Sequence, residues 1–135
     1  MKQALKNIDK LGKATGLYSQ GIRAGNCIYT TQIGNICGGP LAGDSMYEQA
    51  VQTLRNAEAL LAAEGATLEN IVKCTIYIVD MHDYAELNRA YEELMPQPYP
   101  ARACVQVAQL SPGSRVEMEF IAYVEDQKSS RTDTQ

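Results

Sequence analysis

The chain has 135 residues, 45% of them hydrophobic, and a net charge of −4 from 16 acidic against 12 basic side chains. That length and composition fit one ordinary globular domain. The acidic balance argues against nucleic acid as a partner, because a phosphate backbone calls for a basic face. No run approaches the ~20 apolar residues of a membrane span, and the opening MKQALKNIDK lacks the apolar stretch of a signal peptide. A soluble, reduced, cytoplasmic protein without a membrane partner is expected. Cys27, Cys37, Cys74 and Cys104 form no C-x-x-C pair and His82 is the lone histidine, which disfavours a zinc site. Each cysteine lies in or beside an apolar run and reads as a free, buried thiol.

Taken in order, residues 1–15 are polar and end in Gly12-Lys13-Ala14-Thr15-Gly16, which reads as a loop. Tyr18–Ile22 predicts a short strand, and Cys27–Ile33, rich in Thr, Ile and Tyr, another. Gly38-Gly39-Pro40 and Gly43 mark a flexible loop. Ser45-Met46-Tyr47-Glu48 fits a capping box, and Tyr47, Ala50, Val51, Leu54, Ala57 and Leu61 follow at helical spacing. Gly65 is suited to end that helix in the left-handed conformation.

Ile71–Val79 predicts a strand, and Asp80 caps a second helix with an apolar stripe of Tyr84, Leu87, Tyr91 and Leu94. Pro96, Pro98 and Pro100 stop it. Residues 100–123 then read as two strands joined by a turn at Ser111-Pro112-Gly113-Ser114. In the first strand Ala101, Ala103, Val105 and Val107 share one face, and Arg102, Cys104 and Gln106 the other. In the second, Val116, Met118, Phe120, Ala122 and Val124 form the apolar face, opposite Arg115, Glu117 and Glu119. The order predicts an α+β domain over residues 1–124, a mixed sheet with both helices on one face. Residues 125–135 are expected to be a polar, disordered tail.

An arginine and two carboxylates at the non-core positions of apolar strands fit a solvated sheet face. Periodicity alone favours that reading; the sharper alternative is a bidentate carboxylate grip by Arg102 and a glutamate general base. Alternation alone does not choose between Glu117 and Glu119. A tight hairpin would set Arg102 opposite Tyr123 and Ala108 opposite Glu117, six residues or ~20 Å apart along the ladder. Either the connection is not a tight hairpin, or the two residues meet between copies of the chain.

Pro100-Ala101-Arg102-Ala103-Cys104-Val105, with Leu110 and Val116-Glu117-Met118-Glu119, resembles the closing signature of the reactive intermediate deaminase family (Rid, or YjgF-like). Gly16-Leu17-Tyr18-Ser19-Gln20-Gly21, Asn70–Thr75 and Asn88-Arg89-Ala90-Tyr91-Glu92 extend the resemblance over roughly residues 14–124. It implies a single-layer mixed sheet of chorismate-mutase-like type, assembled as a homotrimeric barrel of sheets with sites between subunits. It implies hydrolysis of 2-imino acids or their enamines, such as 2-aminoacrylate, to 2-oxo acids and ammonia, without metal or organic cofactor. By the same resemblance Arg102 grips the substrate carboxylate and Glu117 activates water. Tyr18, Thr31, the Cys104 backbone, Asn88 and Tyr91 line the site.

Thr30-Thr31-Gln32-Ile33-Gly34 departs from the family's usual Ser-Gly-Gln-Ile-Pro, and Leu17 stands where proline is common. That departure keeps a pathway-specific enamine, of aminoacrylate or aminomuconate type, open as the substrate. Members have also been described as ribonucleases, against which the acidic balance and lone histidine argue. A non-catalytic, chaperone-like trimer is the remaining alternative.

Overall fold

The computed structural model describes residues 1–6, 8–14 and 16–125; the expected polar tail falls, apart from Glu125, outside the described residues. Six strands, β1 (Lys2–Ala4), β2 (Gly21–Ala24), β3 (Cys27–Ile33), β4 (Ile71–Ile78), β5 (Ala101–Gln106) and β6 (Val116–Tyr123), form one sheet. Two helices, α1 (Met46–Ala62) and α2 (Tyr84–Leu94), pack on one of its faces. The strand order is β1-β2-β3-β6-β4-β5, antiparallel except for the parallel pair β4–β5. A parallel pair needs a long crossover, and α2 supplies it.

The capping box forms as the sequence predicts: Ser45 accepts from the Glu48 amide, and the Glu48 side chain accepts from the Ser45 amide. Gly65 follows α1 at φ 70°. The helix buries more than its apolar stripe. Gln49, Thr53 and Asn56 lie in the core with Ala50, Leu54, Ala57, Leu60 and Leu61. Buried amides need partners, and they have them. Gln49 donates to the Gly43 and Gly113 carbonyls, at 2.9 and 3.1 Å, and accepts from the Arg115 amide at 2.7 Å. Asn56 donates to the carbonyls of Ile33 and Asn35.

Two expectations at the N-terminus need correction. Residues 1–15 are not only loop, since Lys2–Ala4 pairs with β2, and Leu11 of a short 3-10 turn is buried. Strand β2 starts at Gly21 rather than Tyr18. The polar run concealed β1 because all three of its side chains are exposed and no alternation marks it. Among the cysteines, Cys74 is buried, but Cys37 is exposed at φ 50° and Cys27 and Cys104 are half-buried. At the start of the second helix Asp80 caps a separate 3-10 turn, Met81–Asp83, accepting from the His82 amide; α2 proper begins at Tyr84.

The larger correction is the hairpin. The turn exists, with Ser114 N–H on the Ser111 carbonyl and Gly113 at φ 80°. The strands it joins are not neighbours. Both edges of β6 are already taken by β3 and β4, so residues 107–115 pass the end of β4 instead of folding back on β5.

Gly34 is set by packing. A Cβ there would lie 2.4 Å from the Gln49 carbonyl oxygen, so α1 crosses β3 too closely for any side chain at this position. Overpacking of this kind typically costs 1–3 kcal/mol. Gly34→Ala is expected to lower stability by about that amount in chemical denaturation. A wild-type midpoint would mean that α1 can move away from β3 without cost.

Candidate functional site

The candidate residues fall into two groups. The first sits where α2 meets β5. In a ladder, residues directly opposite one another point to the same face. Arg102 pairs with Cys74 and Cys104 with Ile76, and both partners are buried on the helix side. Arg102 and Cys104 therefore face α2. The residues alternating with them, Ala101, Ala103 and Val105, are exposed on the open face, although they read as a core face in the sequence.

Tyr84, Asn88 and Tyr91 recur at intervals of four and three, which aligns them on one helix face. Arg102 Nη2 donates to the Tyr84 hydroxyl at 2.9 Å. Its guanidinium lies 4.7 Å from the centre of the Tyr91 ring and 5.7 Å from that of Tyr84. A cation over an aromatic face gains about 0.5–1 kcal/mol at exposed sites, so the two rings hold the guanidinium in place. Tyr99 tilts against Tyr91 with ring centres 6.0 Å apart. Arg102, Asn88, Tyr91 and Tyr99 border a cleft of about 340 Å³.

Tyr91 is 6% exposed, and its hydroxyl has no hydrogen-bond partner among the described residues. Burial drives its acidity well below that of an ordinary tyrosine. Burial also pushes the Cys74 thiol up to about 12 and raises that of Cys104, the nearby Arg102 opposing both shifts. Neither cysteine is a ready thiolate at neutral pH.

The second group lies on the open face. Glu117, Thr31 and Tyr18 border a cleft of about 560 Å³ together with Asn35, Gly39 and Ser111. Glu117 pairs with Ile33 on one side and Tyr77 on the other; Glu119 pairs with Thr31 and Thr75. The two glutamates are not equivalent. Glu119 accepts from the Tyr77 hydroxyl at 2.7 Å. Partial burial, and then the negative charge of Glu119, raise the pKa of Glu117 above the ordinary carboxylate value.

Thr31 occupies regular strand backbone, and its φ is not positive. Threonine is therefore unstrained in the position where the family usually has glycine. What it adds is bulk and a hydroxyl on the open face. Thr30 points the other way, donating to the Gln20 carbonyl and accepting from Gln32 within the core.

The sequence reading set Arg102 and Glu117 on equivalent non-core faces. Within one chain they point to opposite faces, with β4 between their strands. Their β4 partners, Cys74 and Tyr77, are three residues apart. Three residues along the sheet and two strand spacings across it separate their backbones by about 14 Å. One chain brings Arg102, Asn88, Tyr91 and Cys104 together, and separately Glu117, Thr31 and Tyr18. The sequence reading missed the parts played by Tyr84, Tyr99 and Tyr77. Tyr84 and Tyr77 were legible as helix and strand residues respectively, but only the pairing of β4 with β5 and β6 reveals what they touch.

This fold and these residues define a single-sheet protein with one cleft where α2 meets β5 and another on the open face. The family model described as Endoribonuclease L-PSP matches residues 2–124. A RutC family protein of Pyrococcus abyssi is 37% identical over 121 residues, 87% of this chain and 94% of that one. The human 2-iminobutanoate/2-iminopropanoate deaminase is 35% identical over 127 residues, covering 90% of this chain and 93% of its own. Among solved structures, RidA of an Antarctic Psychrobacter superposes with a TM-score of 0.84 at 37% identity, covering 90% of this chain and 99% of that one. Escherichia coli TdcF with bound serine superposes with a TM-score of 0.82 at 30% identity, covering 91% and 99%. The chain belongs to the reactive intermediate deaminase (Rid) family.

The environment of Glu117 has a consequence for stability. Because its folded pKa is raised, the native state holds this proton more tightly than the unfolded chain. Its contribution is most favourable below the ordinary value of 4.5 and is lost as pH rises through the raised folded value. Glu117→Gln removes a carboxylate that is unfavourably placed at neutral pH. The variant is expected to melt at or above the wild-type temperature at neutral pH, with the advantage shrinking as the pH falls through the raised folded value and gone below 4.5. A variant clearly less stable at neutral pH would contradict the burial argument.

Proposed function

We propose that the protein hydrolyses reactive 2-imino acids and their enamine tautomers to 2-oxo acids and ammonia. The observation that carries this reading is the Arg102 clamp: a permanently charged planar fork, held between two tyrosines at the border of a small cleft. Such a fork matches a carboxylate in two parallel hydrogen bonds. The names of the mammalian relatives, and the serine bound to TdcF, support a small amino-acid-like ligand.

The chemistry needs little more than charge pairing and proton management. Glu117 takes a proton from water as the oxygen adds to the imine carbon, and the nitrogen is protonated. The resulting carbinolamine collapses to the 2-oxo acid, expelling ammonia. A carboxylate whose pKa is raised toward the working pH is better suited to accept that proton than an ordinary one. Glu119, occupied by Tyr77, serves the architecture of the open face.

Because Arg102 and Glu117 diverge within one chain, the complete site is formed between copies, in a homotrimer. Residues Arg102, Asn88, Tyr91 and the Cys104 backbone come from one copy, and Glu117, Thr31 and Tyr18 from its neighbour. The Thr31 side chain beside Glu117 favours a narrower, pathway-specific enamine as a second reading within the same chemistry. We place residues 1–124 in a single domain.

The direct test is release of ammonia and 2-oxo acid from freshly generated 2-aminoacrylate. Arg102→Ala is expected to lower kcat/KM by at least about 10²-fold, the scale of losing one charged partner of a bound anion. Glu117→Gln is expected to lower kcat by roughly 10²- to 10⁴-fold, and Glu119→Gln by less than about tenfold. Full activity in Glu117→Gln, or a dead Glu119→Gln, would overturn the assignment of the base.

Mixing the two inactive variants tests where the site lies. If each site takes Arg102 from one chain and Glu117 from the next, chains co-assembled from equal amounts of Arg102→Ala and Glu117→Gln regain roughly a quarter of wild-type activity. No recovery in verified mixed oligomers would return the site to a single chain.

A further inference from the structure

Tyr84 is a stripe residue in the sequence, yet it does little packing. It is 38% exposed, while Leu87, Ala90 and Tyr91 make the buried face of α2. What it does touch is Arg102. Its hydroxyl accepts from Nη2 at 2.9 Å, and its ring centre lies 5.7 Å from the guanidinium, which also contacts the Tyr91 ring at 4.7 Å. Its backbone is held as well. Tyr84 opens α2 directly after the 3-10 turn whose amide at His82 is capped by Asp80 at 2.9 Å.

We propose that Tyr84 is a positioning and specificity-determining residue. It fixes the plane of Arg102 and adds its own hydroxyl proton as a third donor to the substrate carboxylate. The inference rests on the carboxylate-binding role assigned to Arg102 above.

The donor inventory supports it. A guanidinium carries five N–H donors and no acceptor, so a hydrogen-bond acceptor beside it fixes its plane in a way that ring contact alone does not. Tyr84 supplies one such acceptor. A tyrosine hydroxyl that accepts a hydrogen bond keeps its own proton to give. That hydroxyl lies 2.9 Å from Nη2, so an anion taken by the same end of the fork would come within its reach. The Tyr91 hydroxyl is turned into the protein and cannot play this part. The arrangement favours substrates whose carboxylate offers lone pairs to the arginine fork and the phenol together. It discriminates against amides and esters of the same imino acids, which have fewer acceptor sites and no charge.

The test uses Tyr84→Phe, which keeps the ring and removes only the hydroxyl, with 2-oxobutanoate as the binding probe. Calorimetric titration is expected to show Kd raised about tenfold or more, the worth of one hydrogen bond to a charged group. In turnover of 2-aminoacrylate, KM rises similarly while kcat stays within about threefold, a split that uniform loss of binding produces. In an Arg102→Lys background, which keeps charge but lacks the planar fork, Tyr84→Phe is expected to change Kd by less than about twofold. Unchanged Kd in the single variant, or an equal loss in both backgrounds, would overturn the proposal. So would a wild-type protein that fails to bind 2-oxobutanoate at millimolar concentration. The two readings fail separately. Binding that depends on Tyr84 without ammonia release removes the deaminase and keeps the cradle; full deamination indifferent to Tyr84→Phe does the reverse.

Discussion

Strand β4 lies between β5 and β6, and that insertion decides which way each candidate group faces. The parallel pairing of β4 with β5 is closed by α2, which must then lie over the strands it connects. Arg102, opposite Cys74, is thereby turned under α2 and into the rings of Tyr84 and Tyr91. The antiparallel pairing of β4 with β6 turns Glu117 and Glu119 to the uncovered side. Had β5 and β6 formed the simple hairpin, the helix-side arginine would have had no aromatic clamp. The same pairing leaves Ala101, Ala103 and Val105 exposed on the open face beside Lys73, Thr75 and Tyr77. This surface is partly apolar, on the side of the sheet that no helix covers.

Much of this was legible in the sequence, for local reasons. The α1 boundaries follow from a capping box and a glycine stop, signals that act within a few residues. The strand at Cys27–Ile33 follows from β-branched and aromatic content, and the turn at Ser111–Ser114 from proline and glycine in the positions where their φ values belong. The clustering of Arg102 with Asn88 and Tyr91, on the other hand, came from a family resemblance rather than from periodicity.

What the sequence concealed is non-local. Alternation records that Arg102 and Val105 lie on different faces, but not which face meets a helix. In β5 the apolar set is the exposed one, so the usual inference from hydrophobicity to core inverts. A turn motif records that the chain reverses, but not that another strand has entered the gap. The three polar, exposed side chains of β1 carry no pattern at all. Gly34 is a case of the same kind: only the crossing of α1 over β3 explains why no side chain fits there.

Gln49 places the loop around Gly43 and the turn around Gly113 on a single buried amide, together with the amide of Arg115 at the entrance to β6. Gly43 and Gly113 thus share one anchor, although 64 residues separate Gly113 from Gln49. Local opening in proteins proceeds in cooperative units, and groups that share a buried anchor belong to the same unit. The loops on either side of that anchor also supply Gly39 and Ser111 to the walls of the Glu117 cleft. Release of Gln49 would therefore free both walls together rather than one at a time. The cleft's resting shape is governed by an amide on the opposite side of the sheet from the glutamate it surrounds.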